Sequence, residues 1–328
     1  MQPRLKDYFR SLDLGPGTGH RNLQVFPLFH QGEAGPPYFT LDEALDQGVV
    51  EITEVGGGEV PNLSVTNRGE TPVLVLAGEE LVGAKQNRLV NATFLLAGKT
   101  RLILPVSCVE QGRWSPRPRH FRSEQRLSTP QLRSKVQSQV SFSLRAGRGF
   151  RADQREVWEE IEAKAARLGV RSPTGAMADL FESYEERLRQ YTESFALAPD
   201  QKGFVAVLNG CPAGLELFDS PASLARYFDK VLRSYALDAL DLERQGQSEP
   251  EPGITPEAWL EEIRELPVST GPSLSLGEDL RVESHRSLGA GLIHAGVVLY
   301  LSIFAKPDSG SRSGMSRASR RGFWRRPL

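Results

Sequence analysis

Cysteine, histidine and long apolar runs are scarce in this chain. Its two cysteines, Cys108 and Cys211, stand far apart. They make neither a disulfide framework nor a zinc quartet, and a reducing cytoplasm is the default compartment. The five histidines, His20, His30, His120, His285 and His294, are scattered without ligand spacing, so neither a metal nor a metal cofactor is expected. No stretch approaches the ~18 consecutive apolar residues that a membrane helix needs. The N-terminal MQPRLKDYFRSLDLG lacks the apolar centre of a secretory signal. Gly15-Pro16-Gly17-Thr18-Gly19 is glycine-rich, but it follows no strand and lacks the dinucleotide-binding spacing. It reads as a turn. No internal repeat is present.

What the chain does have is size and a segregated charge. Its 328 residues, 39% hydrophobic and 25% charged, suffice for a sizeable core in a globular protein, divided into two lobes. The net charge of −1 is unevenly spread. Residues 309–328 carry six arginines and no acid, which leaves −7 (−1 minus 6) for residues 1–308. Within that body, residues 113–151 carry ten Lys/Arg against one acid, Glu124. Such a basic stretch either attracts phosphate-bearing ligands or is simply a solvated loop.

Hydrophobic patterning predicts an α+β fold. Strands are expected at Leu23–Phe29, Tyr38–Leu41, Val49–Val55 and Leu63–Asn67. Thr40 and Glu43 form a capping-box signature for a short helix between the second and third of these. Three short apolar runs, Val73–Ala77, Leu89–Leu96 and Leu102–Val109, read as an antiparallel meander. The polar stretch 115–154 is either functional or mobile, with Gln131–Val140 a candidate helix. Helices follow: Asp153–Leu168 closed by Gly169, about 176–196, Ser220-Pro221 to about Leu240, and Thr255-Pro256 to about Leu266. Asn209-Gly210 marks a hairpin, and Leu280–Ser284, Ser287–His294 and Val297–Phe304 are closing strands. The expected organisation is a β-rich lobe over 1–150 carrying the site, an α+β lobe of helices and hairpins over 151–306, and a disordered basic tail over 307–328.

Two polar blocks flank the meander. The first, Gly78 to Arg88, holds Glu79, Glu80, Lys85, Gln86, Asn87 and Arg88; the second is Glu110-Gln111-Gly112-Arg113-Trp114. Adjacent strands would bring the blocks together. On a strand Glu79 and Glu80 point to opposite faces, so at most one faces a given pocket. A glutamate there is a general base, an acceptor for ribose hydroxyls, or only a charged turn residue. Amides recognise planar hydrogen-bonding edges, and arginine forks match phosphate or carboxylate. Trp114 offers a stacking face, although indoles are equally often core. Asn91 interrupts an apolar strand, the usual mark of a solvent-facing position, or it shares a face with Leu89 and Thr93. Cys108, inside a strand, reads as a buried structural thiol.

The runs Ala77–Arg88 and Pro105–Trp114 resemble a bacterial family, the ARG and Rhodanese-Phosphatase-superfamily-associated protein domain. The resemblance continues through Asp153–Trp158, Gly214–Ser220, Arg233–Asp238 and Gly289–Phe304. It implies a role beside NAD or ADP-ribose metabolism, with ADP-ribosylglycohydrolases and phosphatase-type proteins as companions. It implies no particular catalytic residues.

Three functions fit these observations. The first is binding of an ADP-ribose-like phosphorylated ligand by Lys85, Gln86, Asn87, Arg88, Asn91, Gln111, Arg113 and Trp114. The second makes the same place a hydrolase, with Glu79, Glu80 and Glu110 as acid/base candidates. The third is a non-catalytic interaction protein, whose arginine-rich tail could touch nucleic acid or an acidic partner.

Overall fold

In a computed structural model, residues 2–56, 61–113, 121–246 and 253–306 are described, and they form eight helices and eighteen strands. The fold class is α+β. The tail over 307–328 lies outside the described residues.

The largest sheet has nine strands, and both its faces are covered. Its centre is the hairpin Gly203–Leu208 and Cys211–Phe218, closed by Asn209 and Gly210 at φ 49° and 78°. A two-residue turn with both φ positive has the twist that antiparallel strands need, which is why Asn-Gly predicts it. Alternation along Gly203–Leu208 assigns the two faces. Phe204 and Ala206 join the core under the long helix Pro221–Arg244, and Val205 and Val207 join a second core. That second core is closed by helices Gln2–Arg10 and Pro256–Arg264, through Phe9, Trp259 and Ile263. Strand Leu23–Phe29 pairs with Gly203–Leu208, so the first strands of the chain share a sheet with those closing it.

The second sheet has six strands, in the order Arg122–Leu127, Glu79–Val82, Arg88–Val90, Thr100–Cys108, Asn62–Asn67, Val50–Glu54. Its two ends approach each other: the Phe121 amide donates to the Ile52 carbonyl at 3.1 Å. The side chains of Ile52, Leu63, Val65, Leu81, Val90 and Leu104 pack together inside this curl. A small three-stranded sheet, Phe94–Leu96, Val73–Val75 and Phe39–Thr40, lies beside it.

The expected meander is therefore divided. The run Leu89–Leu96 is two strands in two sheets, and the block around Glu79 is itself a strand, Glu79–Val82. The polar stretch after residue 120 is ordered: it forms strand Arg122–Leu127 and the helix Pro130–Arg145, which contains the expected Gln131–Val140. The helix expected over 176–196 breaks at Tyr184 into Met177–Ser183 and Glu185–Thr192. The capping box at Thr40 and Glu43, the left-handed Gly169 cap (φ 69°) and the Ser220 cap all stand as their residue types require.

Buried ion pairs tie helices to strands. Arg133 of helix Pro130–Arg145, only 1% exposed, donates to Glu216 at 2.8 Å and to Ser234 at 3.1 Å. Tyr235 and Tyr300 donate to the same carboxylate at 2.8 and 2.6 Å. Lys164 reaches Asp238 and Asp241.

Candidate functional site

The turn 83–87 joins strands Glu79–Val82 and Arg88–Val90, while residues 109–113 follow the adjacent strand Thr100–Cys108. Register alone thus sets the two polar blocks side by side. Asn87 is the centre of the contact. Its backbone amide donates to Glu110 at 3.2 Å, while its side-chain carboxamide donates to Glu80 at 3.2 Å through Nδ2 and accepts from Arg113 at 3.1 Å through Oδ1. Arg113 forks onto Glu110 at 2.8 and 2.7 Å and donates to the Ala84 carbonyl at 2.7 Å. Glu80 is closed from the other side by Arg126 at 2.6 Å. Gln86 donates to the Gln111 carbonyl at 3.3 Å, and Arg88 donates to both the carbonyl and the side chain of Gln86.

Glu80, Gln86, Asn87, Arg88, Glu110, Gln111 and Arg113 thus meet in one network. All but Gln111 are buried. The other candidates lie elsewhere. Glu79 faces the opposite side of its strand, where it accepts from Lys230 at 2.6 Å and from the Leu76 amide at 2.8 Å. Lys85 lies half-buried at the turn, its backbone amide donating to Glu54 at 3.1 Å. Asn91 is buried, not solvent-facing: it donates to the Phe150 carbonyl at 3.2 Å and accepts from Ser107 at 2.9 Å. The polar interruption of its strand is an internal hydrogen-bond post. Trp114 and His120 lie outside the described residues.

Burial splits the carboxylates. It lifts the proton affinity of Glu79, against the opposing charge of Lys230, and that of Glu80, where nearby Glu110 adds to the lift and Arg126 opposes it. At Glu110 burial pulls the same way, but Arg113, the Asn87 amide and Thr174 outweigh it and hold the group below the usual carboxylate range. Burial also raises the Cys108 thiol, in keeping with a structural cysteine. Gln154 fixes the Cys108 backbone at both its amide and its carbonyl.

The network opens outward along one edge. Thr174 donates to Glu110 at 3.1 Å, and the Gly112 amide donates to the Thr174 carbonyl at 2.7 Å. Residues 109–112 are thereby laced to residues 172–177. Against this seam lies a cleft of about 530 Å³, lined by Gln111, Trp158, Glu162, Arg171 and Ser172. Among the described residues the indole nitrogen of Trp158 has no hydrogen-bond partner. Trp158 stands one residue off the Val157–Ile161–Leu168 stripe of its helix, a position beside the buried face that the sequence does show. Arg126 and Thr174 left no signal in the sequence, because only the fold brings them to Glu80 and Glu110.

Among the described residues, no group of three or more His, Cys, Asp or Glu side chains could hold a metal ion. No helix among them is long and apolar enough to cross a membrane. No curated protein and no solved structure matches the chain. A family model does match, over residues 11–304, and its name ties the domain to ARG and rhodanese-phosphatase superfamily proteins. With nearly the whole chain covered, this protein belongs to the ARG and Rhodanese-Phosphatase-superfamily-associated Protein domain family.

Proposed function

We propose that the protein binds a phosphorylated nucleotide of the ADP-ribose class in the cleft between Trp158 and Arg171. The observation that carries this reading is the meeting, in one cleft, of an indole, a guanidinium, a carboxylate and the Gln111 edge of the buried network. An indole stacks on a base, a guanidinium forks onto phosphate, and Glu162 and Gln111 suit ribose hydroxyls and a base edge. Arg171 is exposed and has no partner among the described residues, so its donors are available. The buried network serves as the rigid wall behind the cleft rather than as its lining. The family's ADP-ribosylglycohydrolase and phosphatase-type associates would act on the same ligand class.

Calorimetric titration with ADP-ribose, NAD and AMP tests this. Trp158→Ala is expected to weaken binding by about 1–3 kcal/mol, the range for loss of a base–aromatic stack. Binding of none of the three nucleotides, or an unchanged affinity in Trp158→Ala, would count against the cleft.

The opposed shifts of Glu80 and Glu110 favour a second reading. Two carboxyl groups joined through Asn87, one raised and one lowered in proton affinity, resemble the division of labour in an acid/base hydrolase. Each is already held by an arginine, so this reading requires Arg126 or Arg113 to release its partner when substrate enters. Glu80→Gln should then abolish release of ribose or nucleotide from an ADP-ribose conjugate while leaving nucleotide binding in place. Full turnover by Glu80→Gln would dismiss it.

A further inference from the structure

The cleft at Trp158 holds two opposite charges that do not meet. Gly169, left-handed at φ 69°, turns the chain back, and the Val170 amide donates to the Ala165 carbonyl at 2.9 Å. Residues 170–176 therefore face helix Gln154–Leu168 across the cleft. The helix lines it with Trp158, Ile161, Glu162, Ala165 and Ala166, a spacing that belongs to a single helical face. Trp158 and Glu162 are one turn apart, so the carboxylate stands beside the indole, with Cβ atoms about 5–6 Å apart. The indole nitrogen is turned away from solvent, so the half-buried ring meets the cleft through carbon.

Arg171 lines the cleft from the returning segment. Glu162 and Arg171 are both exposed, and among the described residues neither has a partner. They form no ion pair with each other either, although they share one cleft of about 530 Å³. The charges around them are already engaged: Arg155 with Glu159 at 2.7 Å, and Arg167 with Asp241 at 2.7 Å. Ser172 is engaged as well, donating to Asp179 and accepting from the Ala176 amide. What the cleft offers a ligand is thus an anion beside an aromatic face in one place and a lone guanidinium in another.

A carboxylate next to an indole repels phosphate and attracts a flat cation, because its charge and the ring quadrupole act in the same sense. A neutral base gains only the stacking. The ligand that satisfies both Glu162 and Arg171 is positive at its ring and negative at its phosphate.

We propose that the cleft selects a pyridinium nucleotide, with the cationic ring against Trp158 and Glu162 and the phosphate on Arg171. The proposal rests on the cleft binding a nucleotide at all, and it gives Glu162 to the ring rather than to the ribose. The dihydropyridine form of the same nucleotide has a neutral ring, so the cleft distinguishes the oxidised from the reduced form.

Calorimetric titration of the full-length protein with oxidised nicotinamide mononucleotide, its reduced form and AMP tests this. All three carry a ribose and one phosphate, and they differ at the ring. The oxidised form is expected to bind at least about fivefold tighter than the reduced one, from a cation–π contact and a partly exposed ion pair together. Glu162 is exposed, so Glu162→Gln is expected to fold as the parent does. It should narrow the ratio to about twofold and leave AMP affinity within about twofold. Equal binding of the two redox forms, or a ratio unchanged in Glu162→Gln, overturns the proposal; AMP binding retained in that case leaves the nucleotide cleft standing. Binding of none of the three overturns the cleft and the proposal together.

Discussion

Arg133→Ala is expected to destabilise the protein by about 3–5 kcal/mol, because it strips the counter-charge from a carboxylate that cannot reach water. Glu216 is 0% exposed, and Arg133 is its cation. Tyr235 and Tyr300 would still donate to it, but two neutral donors do not replace a guanidinium. Arg133 also donates to the Ser128 carbonyl and the Ser234 hydroxyl, so alanine removes a donor from each of these as well. Equilibrium urea denaturation measures the loss. The double variant Arg133→Met, Glu216→Gln removes both charges together and should recover a large part of it, since apolar or neutral replacement of a whole buried pair is often nearly neutral. A single variant within about 1 kcal/mol of the parent would show that the pair is not needed for stability.

Lys230→Met should cost a similar amount, about 3–5 kcal/mol, and the cost should depend on pH. Lys230 neutralises Glu79 and Asp42 together. Burial already raises the proton affinity of Glu79, and Lys230 opposes that rise. Without the cation it rises further. A carboxylate raised on folding takes up a proton as the chain folds, so its stabilising share is present below the unfolded value of about 4.3 and is lost as pH climbs through the folded value. The variant should lie closest to the parent near pH 5 and furthest from it near pH 8, as measured by denaturation at both pH values. An equal deficit at both would mean that Glu79 does not keep its proton in the variant.

Local chemistry explains how much of the fold could be read from the chain. Asn209-Gly210, Thr40 with Glu43, Gly169 and Ser220-Pro221 each determine structure within four residues, and each does so here. Strand partners are a different matter. Leu89–Leu96 reads as one apolar run because both strands within it are buried, and burial on all sides erases the alternation that would divide them. Asn91, at the start of the break, looked like an outward residue for the same reason. The meeting of the two polar blocks was legible in the sequence, but its depth was not. Register brings Gln86, Asn87, Glu110 and Arg113 together, yet their mutual bonds turn the cluster inward. The open face passes to Trp158 and Arg171, from a helix and loop that follow some 50 residues later.

The pairing of Leu23–Phe29 with Gly203–Leu208 bears on how this chain is made. Pro27 lies opposite Phe204. On a ribosome, the first long strand emerges about 180 residues before its neighbour exists, and nothing in the intervening segment completes that ladder. Its apolar residues Leu23, Val25 and Leu28 must wait for that partner while the intervening segment is made, an interval in which a chaperone's shelter would matter.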